Sequence, residues 1–136
     1  LLRPFDLMLP YRLEMGTSIE TGKGKGLYRF WDDTITNLIH KTAPKNAIIL
    51  NLASHEYVRS VNLSAFREHW TVVFKEQRGQ SLKTVGVNAK RARGAMTRWI
   101  IKERVTSIEE LHQASPMQYG FHSIDEKKRE LLFIRK

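Results

Sequence analysis

The sequence predicts an α+β fold in which helices flank a mixed sheet. Segments rich in β-branched and aromatic residues occur in two pairs, each joined by a polar turn, which is the pattern of antiparallel strand pairs. The two pairs are residues 70–75 with 82–87, and residues 119–122 with 131–135. Apolar residues at three- and four-residue steps predict amphipathic helices at residues 27–41 and 89–104. At 136 residues the chain fits a single domain, residues 1–136.

The first half of the chain is predicted to contain a long helix, a strand and a short helix. Asp32 and Asp33 fall early in the helix at residues 27–41, where the helix dipole favours anions, and Pro44 ends it. Residues 47–52, AIILNL, form a continuous apolar run typical of a buried central strand. Ser54 follows and is placed to cap a short helix.

The second half is predicted to begin with a hairpin whose strands flank the turn sequence QRGQS. Asn88 is then placed as the N-cap of a basic helix that begins at Ala89. Residues 107–110, SIEE, have the spacing of a capping box and predict another short helix. The last two strands are joined by the charged loop DEKKR.

Composition excludes several classes of protein. The hydrophobic fraction of 41% and the charged fraction of 27% are those of a soluble globular protein. Because the chain has no cysteine, it has no disulfide scaffold, thiolate metal site or cysteine nucleophile. No apolar run approaches the ~18 residues that cross a bilayer, so we expect no membrane partner.

The positive charge of the chain is concentrated in one segment. Residues 71–105 hold nine Lys and Arg against two Asp and Glu, which supplies +7 of the net charge of +9. Arg91, Arg98 and Lys102 align on one stripe of the predicted helix, and Lys90, Arg93 and Arg104 form a second basic edge. An ordinary solvated helix is one interpretation. The other is an anionic partner such as nucleic acid, because only Glu103 offsets the charge within the helix and guanidinium groups bind phosphate bidentately.

Glycines in two places have alternative interpretations. Gly94 lies inside the basic helix, where glycine costs about 1 kcal/mol relative to alanine, and so predicts close approach of a packed element or a ligand. The loop GKGKG at residues 22–26 presents Lys23 and Lys25 and backbone amides that suit phosphate, although it lacks the Walker A spacing. A flexible exposed turn is the simpler interpretation of this loop.

No catalytic residue and no metal ligand set is predicted. The histidines lack metal-binding spacing. Asp32 and Asp33, with Glu14 or Glu56, provide oxygen ligands of the kind that bind a divalent metal. The preference of acidic residues for the start of a helix explains the two aspartates more simply. We expect no cofactor.

Several segments in the same order resemble the YaaA family, the peroxide-stress proteins of bacteria. The most specific are PYRLEMG at residues 10–16, NLAS-x-EY at residues 51–57 and AK-x-ARG at residues 89–94. The resemblance covers nearly the whole chain and matches the C-terminal half of a protein about twice as long, so it implies that an N-terminal half is missing. At most residues 1–8 would belong to the family's helix-hairpin-helix element.

The resemblance implies a cytoplasmic, non-enzymatic protein of the hydrogen peroxide stress response that limits free iron and binds double-stranded DNA through a positively charged cleft. Seven residues are the candidate DNA contacts: Lys90, Arg91, Arg93, Arg98, Lys102, Lys23 and Lys25. The alternative function is an enzyme or metal-handling protein with a polar pocket. Its candidate residues are Arg12, Glu14, Asp32, Glu56, Tyr57 and Lys90. A purely structural half of a larger domain is the third possibility.

Overall fold

The computed structural model describes residues 14–136. Arg12 and the hairpin remnant predicted at residues 1–8 lie outside the described residues. The strands are β1 (Glu20–Thr21), β2 (Gly24–Lys25), β3 (Ile49–Asn51), β4 (His69–Arg78), β5 (Ser81–Lys83), β6 (Gly120–Asp125) and β7 (Glu130–Arg135). The α-helices are α1 (Leu27–Trp31), α2 (Thr34–Thr42), α3 (His55–Val58) and α4 (Gly86–Glu103). The predicted α+β class with a mixed sheet is confirmed.

The chain divides into two compact units. The first contains Ser54–Arg67 and the described part of Leu1–Ala47, and the second contains Ile48–Ala53 and Glu68–Lys136. The first unit holds the small β1–β2 ribbon, three helices and a 3₁₀ turn at Leu63–Ala65. The second holds the five-stranded sheet, α4 and two short 3₁₀ helices, Glu109–Gln113 and Pro116–Gln118.

The helix predicted at residues 27–41 is wrong as a single element, because it breaks into α1 and α2. Asp32 closes α1 with φ 42° and ψ −128°, and Asp33 is the N-cap of α2. The two aspartates therefore separate two helices instead of lying early in one. The predicted end before Pro44 is confirmed, since α2 ends at Thr42.

Side-chain contacts hold the segments of the first unit together. The Met15 N–H donates to Glu56 Oε1 at 3.0 Å, and the Tyr28 hydroxyl donates to the Glu56 carbonyl at 2.8 Å. The short helix after Ser54 is confirmed as α3, although the Ser54 side chain makes no capping hydrogen bond. The His40 ring stacks on Phe66 at 4.4 Å between centroids.

The sheet of the second unit has the order β3-β4-β7-β6, with β5 also paired to β4. Both predicted antiparallel pairs are present, β4 with β5 and β6 with β7. The predicted bounds of the strand at residues 82–87 are wrong, because β5 is only Ser81–Lys83 and α4 begins at Gly86. β5 pairs with the end of β4, residues 76–78, instead of residues 70–75. The sequence did not indicate that β4 also pairs in parallel with both β3 and β7. The apolar run at residues 47–52 supplies only β3, at an edge of the described sheet, so its predicted central position is wrong.

The core of the second unit lies between the sheet and α4. Its largest fully buried side chains are Tyr119, Phe74, Phe133, Met96, Leu111 and Leu131. The predicted helix at residues 107–110 is a 3₁₀ helix, Glu109–Gln113. The two contacts expected of a capping box involve different partners. The Glu110 N–H donates to Ser107 Oγ, whereas the Glu110 carboxylate accepts hydrogen bonds from Thr106 instead of Ser107.

The break between α1 and α2 gives a test of backbone strain. We expect Asp32→Gly to raise the free energy of unfolding by about 1 kcal/mol, because glycine adopts the observed φ and ψ without the steric cost of a Cβ atom. Urea denaturation monitored by circular dichroism measures the change.

Asp33→Gly is the matched control, because Asp33 has φ −82° and ψ 2°, which any residue adopts. We expect this substitution to lower stability by roughly 0.5–1 kcal/mol through the larger entropy of the unfolded chain. Destabilisation of both variants to the same extent would contradict the strained conformation of Asp32.

Candidate nucleic-acid interface

Helix α4 has one buried face and one solvent face. Ala89, Ala92 and Met96 are buried against the core, and Trp99 also packs against it. Alanines at three-residue spacing allow close approach of the helix to the sheet, because they add little side-chain volume. The helix contacts β4 and the 3₁₀ helix Pro116–Gln118. This packing fixes which side chains of α4 face solvent.

The helix starts at Gly86 instead of Ala89, and the predicted capping role of Asn88 is wrong. Asn88 lies in the first turn, where its Nδ2 atom donates to Glu76 Oε1 of β4 at 2.8 Å. The residue at the N-cap position is Val85, which has no side-chain hydrogen bond to the helix. Asn88 therefore connects the start of the helix to the sheet instead of satisfying the amides of the helix itself.

Glu76 is the centre of a hydrogen-bond network in the second unit. Its side chain is 4% exposed. Oε1 accepts hydrogen bonds from the Tyr119 hydroxyl at 2.7 Å and from Arg135 at 2.6 Å, besides the one from Asn88. Oε2 accepts from Arg78 at 2.7 Å. A buried carboxylate with this many donors is satisfied, and the network joins α4 to β4 and β7.

These contacts shift the ionisation of two groups. The Tyr119 hydrogen bond is the largest of the causes that lower the pKa of Glu76 from 4.5 to about 2, and bonds from Asn88 and the charges of Arg135 and Arg78 add to it. Burial opposes the shift. Burial and the bond to Glu76 raise the pKa of Tyr119, which keeps its hydroxyl protonated as a donor.

One of the two predicted basic rows occupies the solvent face of α4. Arg91, Arg98 and Lys102 are exposed along one edge, and Lys90 is exposed on the other side. Arg104, at the C-cap with φ 54°, is exposed just beyond the end of the helix. Among the described residues, the one ion pair of these cations is the 3.6 Å contact between Lys102 and Glu103. The face is therefore strongly electropositive.

Arg93 differs from the other candidate DNA contacts. Its side chain is half-buried, and its Nε atom is buried without a hydrogen-bond partner within residues 14–136. A guanidinium held against the protein in this way offers fewer donors to an external phosphate than an exposed arginine. The structure thus separates Arg93 from Arg91 and Arg98.

An apolar line, not noticed in the sequence, runs between Lys90 and the row formed by Arg91, Arg98 and Lys102. Val87, Gly94 and Ile101 follow each other at seven-residue intervals, which places them on nearly one line along the helix. Val87 is 72% exposed and Ile101 is 71% exposed. At Gly94 nothing lies within 4 Å of an added Cβ atom, so the packed element that the glycine predicted is absent from the described part of the chain.

An open depression adjoins Gly94. It has a volume of about 470 Å³ and is lined by Gly94, Thr97, Arg98, Ile101 and Lys102. The sequence contains the seven-residue spacing of Val87, Gly94 and Ile101. This spacing indicates a line on the surface only once the buried face of the helix is known. The floor of the depression at Gly94 has no side chain, while Arg98 and Lys102 provide positive charge beside the exposed Ile101 side chain.

The remaining candidate residues lie in the first unit. Lys23 and Lys25 are exposed on the β1–β2 ribbon, and Lys23 Nζ lies 5.9 Å from the centroid of the Phe30 ring. The ribbon is ordered by paired strands and by the Thr21 hydroxyl, which donates to the Gly24 carbonyl at 2.6 Å. The GKGKG loop is therefore a structured turn.

The polar pocket predicted around Arg12 is only partly within the described residues. Glu14, Asp32, Glu56 and Tyr57 are exposed in the first unit, and Lys90 belongs to α4 in the second. The Glu56 carboxylate does meet the Met15 amide, so the PYRLEMG motif and α3 are in contact. In residues 14–136 no group of three or more His, Asp or Glu is arranged to hold a metal ion.

No helix in the described part of the chain combines the length and apolar character needed to cross a membrane. The described features define a class: an α+β protein with a strongly basic, solvent-facing helix backed by a mixed sheet.

Comparison with known proteins identifies the family within this class. The family model of peroxide stress protein YaaA matches residues 1–125. A UPF0246 protein of Shewanella sp. (strain W3-18-1) is 40% identical over 139 residues, covering 100% of this chain and 54% of the relative. The UPF0246 protein of Neisseria gonorrhoeae is 42% identical, covering 99% and 53%, and that of Saccharophagus degradans is 43% identical, covering 99% and 54%.

The chain therefore belongs to the peroxide stress protein YaaA family, as the sequence motifs indicated. It spans about half the length of the curated relatives that it matches.

The Glu76 network predicts acid sensitivity. Because the pKa of Glu76 is lower in the folded state, its contribution to stability is complete above pH 4.5 and is lost as the pH falls toward 2. We expect Glu76→Gln to melt at a lower temperature than the native chain at pH 7, and the difference to shrink between pH 4.5 and 2. Thermal melts across this pH range measure it.

Glu126→Gln is the control, since Glu126 is an exposed glutamate on the turn between β6 and β7. It should melt as the native chain does at every pH. A Glu76→Gln variant with a constant melting difference from pH 7 to pH 2 would disprove the role of the ionised carboxylate.

Gly94→Ala tests the open surface of α4. We expect the free energy of unfolding to rise by about 1 kcal/mol, because alanine has the higher helix propensity and its Cβ atom meets no neighbour. Gly79→Ala, at a turn with φ +61°, is the matched substitution and should lose roughly 1 kcal/mol. A loss of stability in Gly94→Ala would mean that another element covers the glycine.

Proposed function

We propose that this member of the peroxide stress family binds duplex DNA, without sequence preference, through the solvent face of α4. The observation that carries the proposal is the row of exposed cations on one helix face, Arg91, Arg98 and Lys102, with Lys90 exposed on the other side of that face. Among the described residues, Lys102 alone of these cations has an acidic neighbour. Like charges one turn apart repel by a few tenths of a kcal/mol. An external polyanion supplies the missing counter-charge, and the relief of this repulsion contributes to the affinity of binding.

The spacing of the cations fits a phosphate backbone. Arg91 and Arg98 are seven residues apart, about 10 Å along the helix axis. This span corresponds to about three base steps of 3.4 Å on one strand. Their long side chains extend from one edge of the helix toward successive phosphates, while the absence of a side chain at Gly94 permits the backbone of the ligand to come close.

The chemistry of the face supports binding without base readout. Arginine and lysine contacts to phosphate position a protein on DNA and carry no sequence information directly. We assign the contacts to Lys90, Arg91, Arg98 and Lys102, with a smaller part for the half-buried Arg93. Lys23 and Lys25 of the first unit are proposed as further contacts, and the test below does not depend on them.

The physiological role is proposed from the family. Non-specific cover of DNA by a cytoplasmic peroxide stress protein would protect the phosphodiester backbone where iron and peroxide generate radicals. We propose that the chain acts in this way together with an N-terminal half, which the greater length of the relatives supports. The limitation of free iron also remains a proposal. The alternative enzymatic or metal-handling function stays a prediction, because no contact among its described residues favours a particular reaction.

Salt titration of DNA binding tests the α4 surface. We expect the Arg91→Ala/Arg98→Ala variant to bind a short duplex more weakly and to reduce the slope of log K against log salt by about 1.8, or about 0.9 for each lost phosphate contact. Fluorescence anisotropy with two unrelated duplex sequences measures affinity, and equal effects on both are expected for phosphate recognition.

Lys127→Ala/Lys128→Ala is the matched double substitution, since it removes two charges from the turn between β6 and β7. Its salt slope should stay close to that of the native chain. The proposal fails if the α4 variant keeps the native affinity and slope, or if the two double variants lose affinity equally.

A further inference from the structure

A second cavity lies in the sheet unit, apart from the solvent face of α4. Its volume is about 460 Å³, which is within the range of sites for small molecules. It is formed by side chains from β4, β6 and β7 and by the residues that adjoin them. The lining side chains that can bind a polar ligand are Gln77, Gln118, His122, Arg135 and Lys136.

Arg135 is held in a fixed position at this cavity. Its Nη2 atom donates to Glu76 Oε1 at 2.6 Å, and its guanidinium carbon lies 4.9 Å from the centroid of the Tyr119 ring. The side chain is 23% exposed. A guanidinium has five N–H donors, so the bond to Glu76 leaves others for a ligand. Its immobilisation reduces the entropy lost on binding.

Gln118 has an unusual backbone conformation at the same cavity. Met117 and Gln118 have φ 53° and 67°, a region that residues other than glycine occupy at a steric cost. Met117 packs against the hydrophobic core, so its side chain has a structural role. Gln118 is exposed and lines the cavity, so its side chain has no role in the core. Strain of this kind is concentrated at functional sites.

His122 reaches the cavity from an irregularity in the sheet. Phe121 pairs with Phe133 and Ser123 pairs with Leu132, so His122 is the extra residue of a β-bulge between β6 and β7. A bulge reorients the side chain that it carries and is often found beside binding sites. A strained turn, a bulge and a fixed arginine thus meet at one cavity.

The charges of the cavity favour an anion. Arg135 and Lys136 have cationic side chains, Gln77 and Gln118 provide amide donors, and no Asp or Glu is part of the lining. Glu76, which lies behind Arg135, already accepts hydrogen bonds from four side chains. An oxyanion with several acceptors matches this set of donors.

We propose that this cavity is a binding site for a small phosphate-bearing anion, anchored by Arg135, Lys136 and the Gln118 amide. The site is independent of the DNA surface, because no residue of α4 lines it. The probes are inorganic phosphate and a nucleoside monophosphate, which share the phosphate group. Isothermal titration calorimetry of the 136-residue chain measures both.

Two substitutions test the site without breaking the Glu76 network. We expect Gln118→Gly and Lys136→Ala each to weaken phosphate binding about tenfold, the effect of losing one hydrogen bond to a charged group. Gln118→Gly should at the same time melt at a higher temperature than the native chain, because glycine relieves the left-handed conformation. Weaker binding by a more stable protein excludes unfolding as the cause.

Two control variants distinguish this site from general attraction to cations. Lys127→Ala/Lys128→Ala and Arg91→Ala/Arg98→Ala should keep the native affinity for both probes. The proposal is overturned if neither probe binds at millimolar concentration, if Gln118→Gly and Lys136→Ala bind as the native chain does, or if either control variant loses affinity to the same extent. Loss of DNA binding by the α4 variant with unchanged phosphate binding supports two separate sites.

Discussion

The buried carboxylate of Glu76 links the parts of the second unit on which both proposed surfaces depend. It accepts hydrogen bonds from Arg78 within β4, from Asn88 at the start of α4, from Tyr119 and from Arg135 on β7. Asn88 sets the position of the basic helix, while Arg135 lines the second cavity. Replacing such a network by apolar side chains preserves packing in many proteins, but it would leave nothing to orient these two polar groups.

Local patterns in the sequence predicted the hairpins and the basic helix because these elements arise from short-range physics. Strand propensity and polar turns indicated both antiparallel pairs, and helical periodicity indicated the helix α4. The parallel pairing of β4 with β3 and β7 was not predictable in this way, since it joins segments that are distant in sequence. The break at Asp32 was missed because the apolar spacing continues across it.

The candidate surfaces were predictable to different degrees. Counting charges located the basic rows of α4, because net charge is a property of the sequence itself. Counting charges does not distinguish Glu76 from a surface acid, whereas the alternation in β4 of Val72, Phe74 and Glu76 places all three on the buried side. The second cavity had no sequence signal, because a bulge and a left-handed turn depend on the tertiary structure around His122 and Gln118.

The position of β7 has a consequence for the synthesis of the protein. β4 lies between β3 and β7, yet Arg135 follows Glu76 by 59 residues. At a translation rate of 5–20 residues per second, about 3–12 s pass between the emergence of the two strands from the ribosome. During that time the edge of β4 that pairs with β7 in the folded protein, around Phe74, has no partner. An unpaired strand edge of this kind readily pairs with other chains. The speed of translation therefore determines how long each nascent chain is open to aggregation.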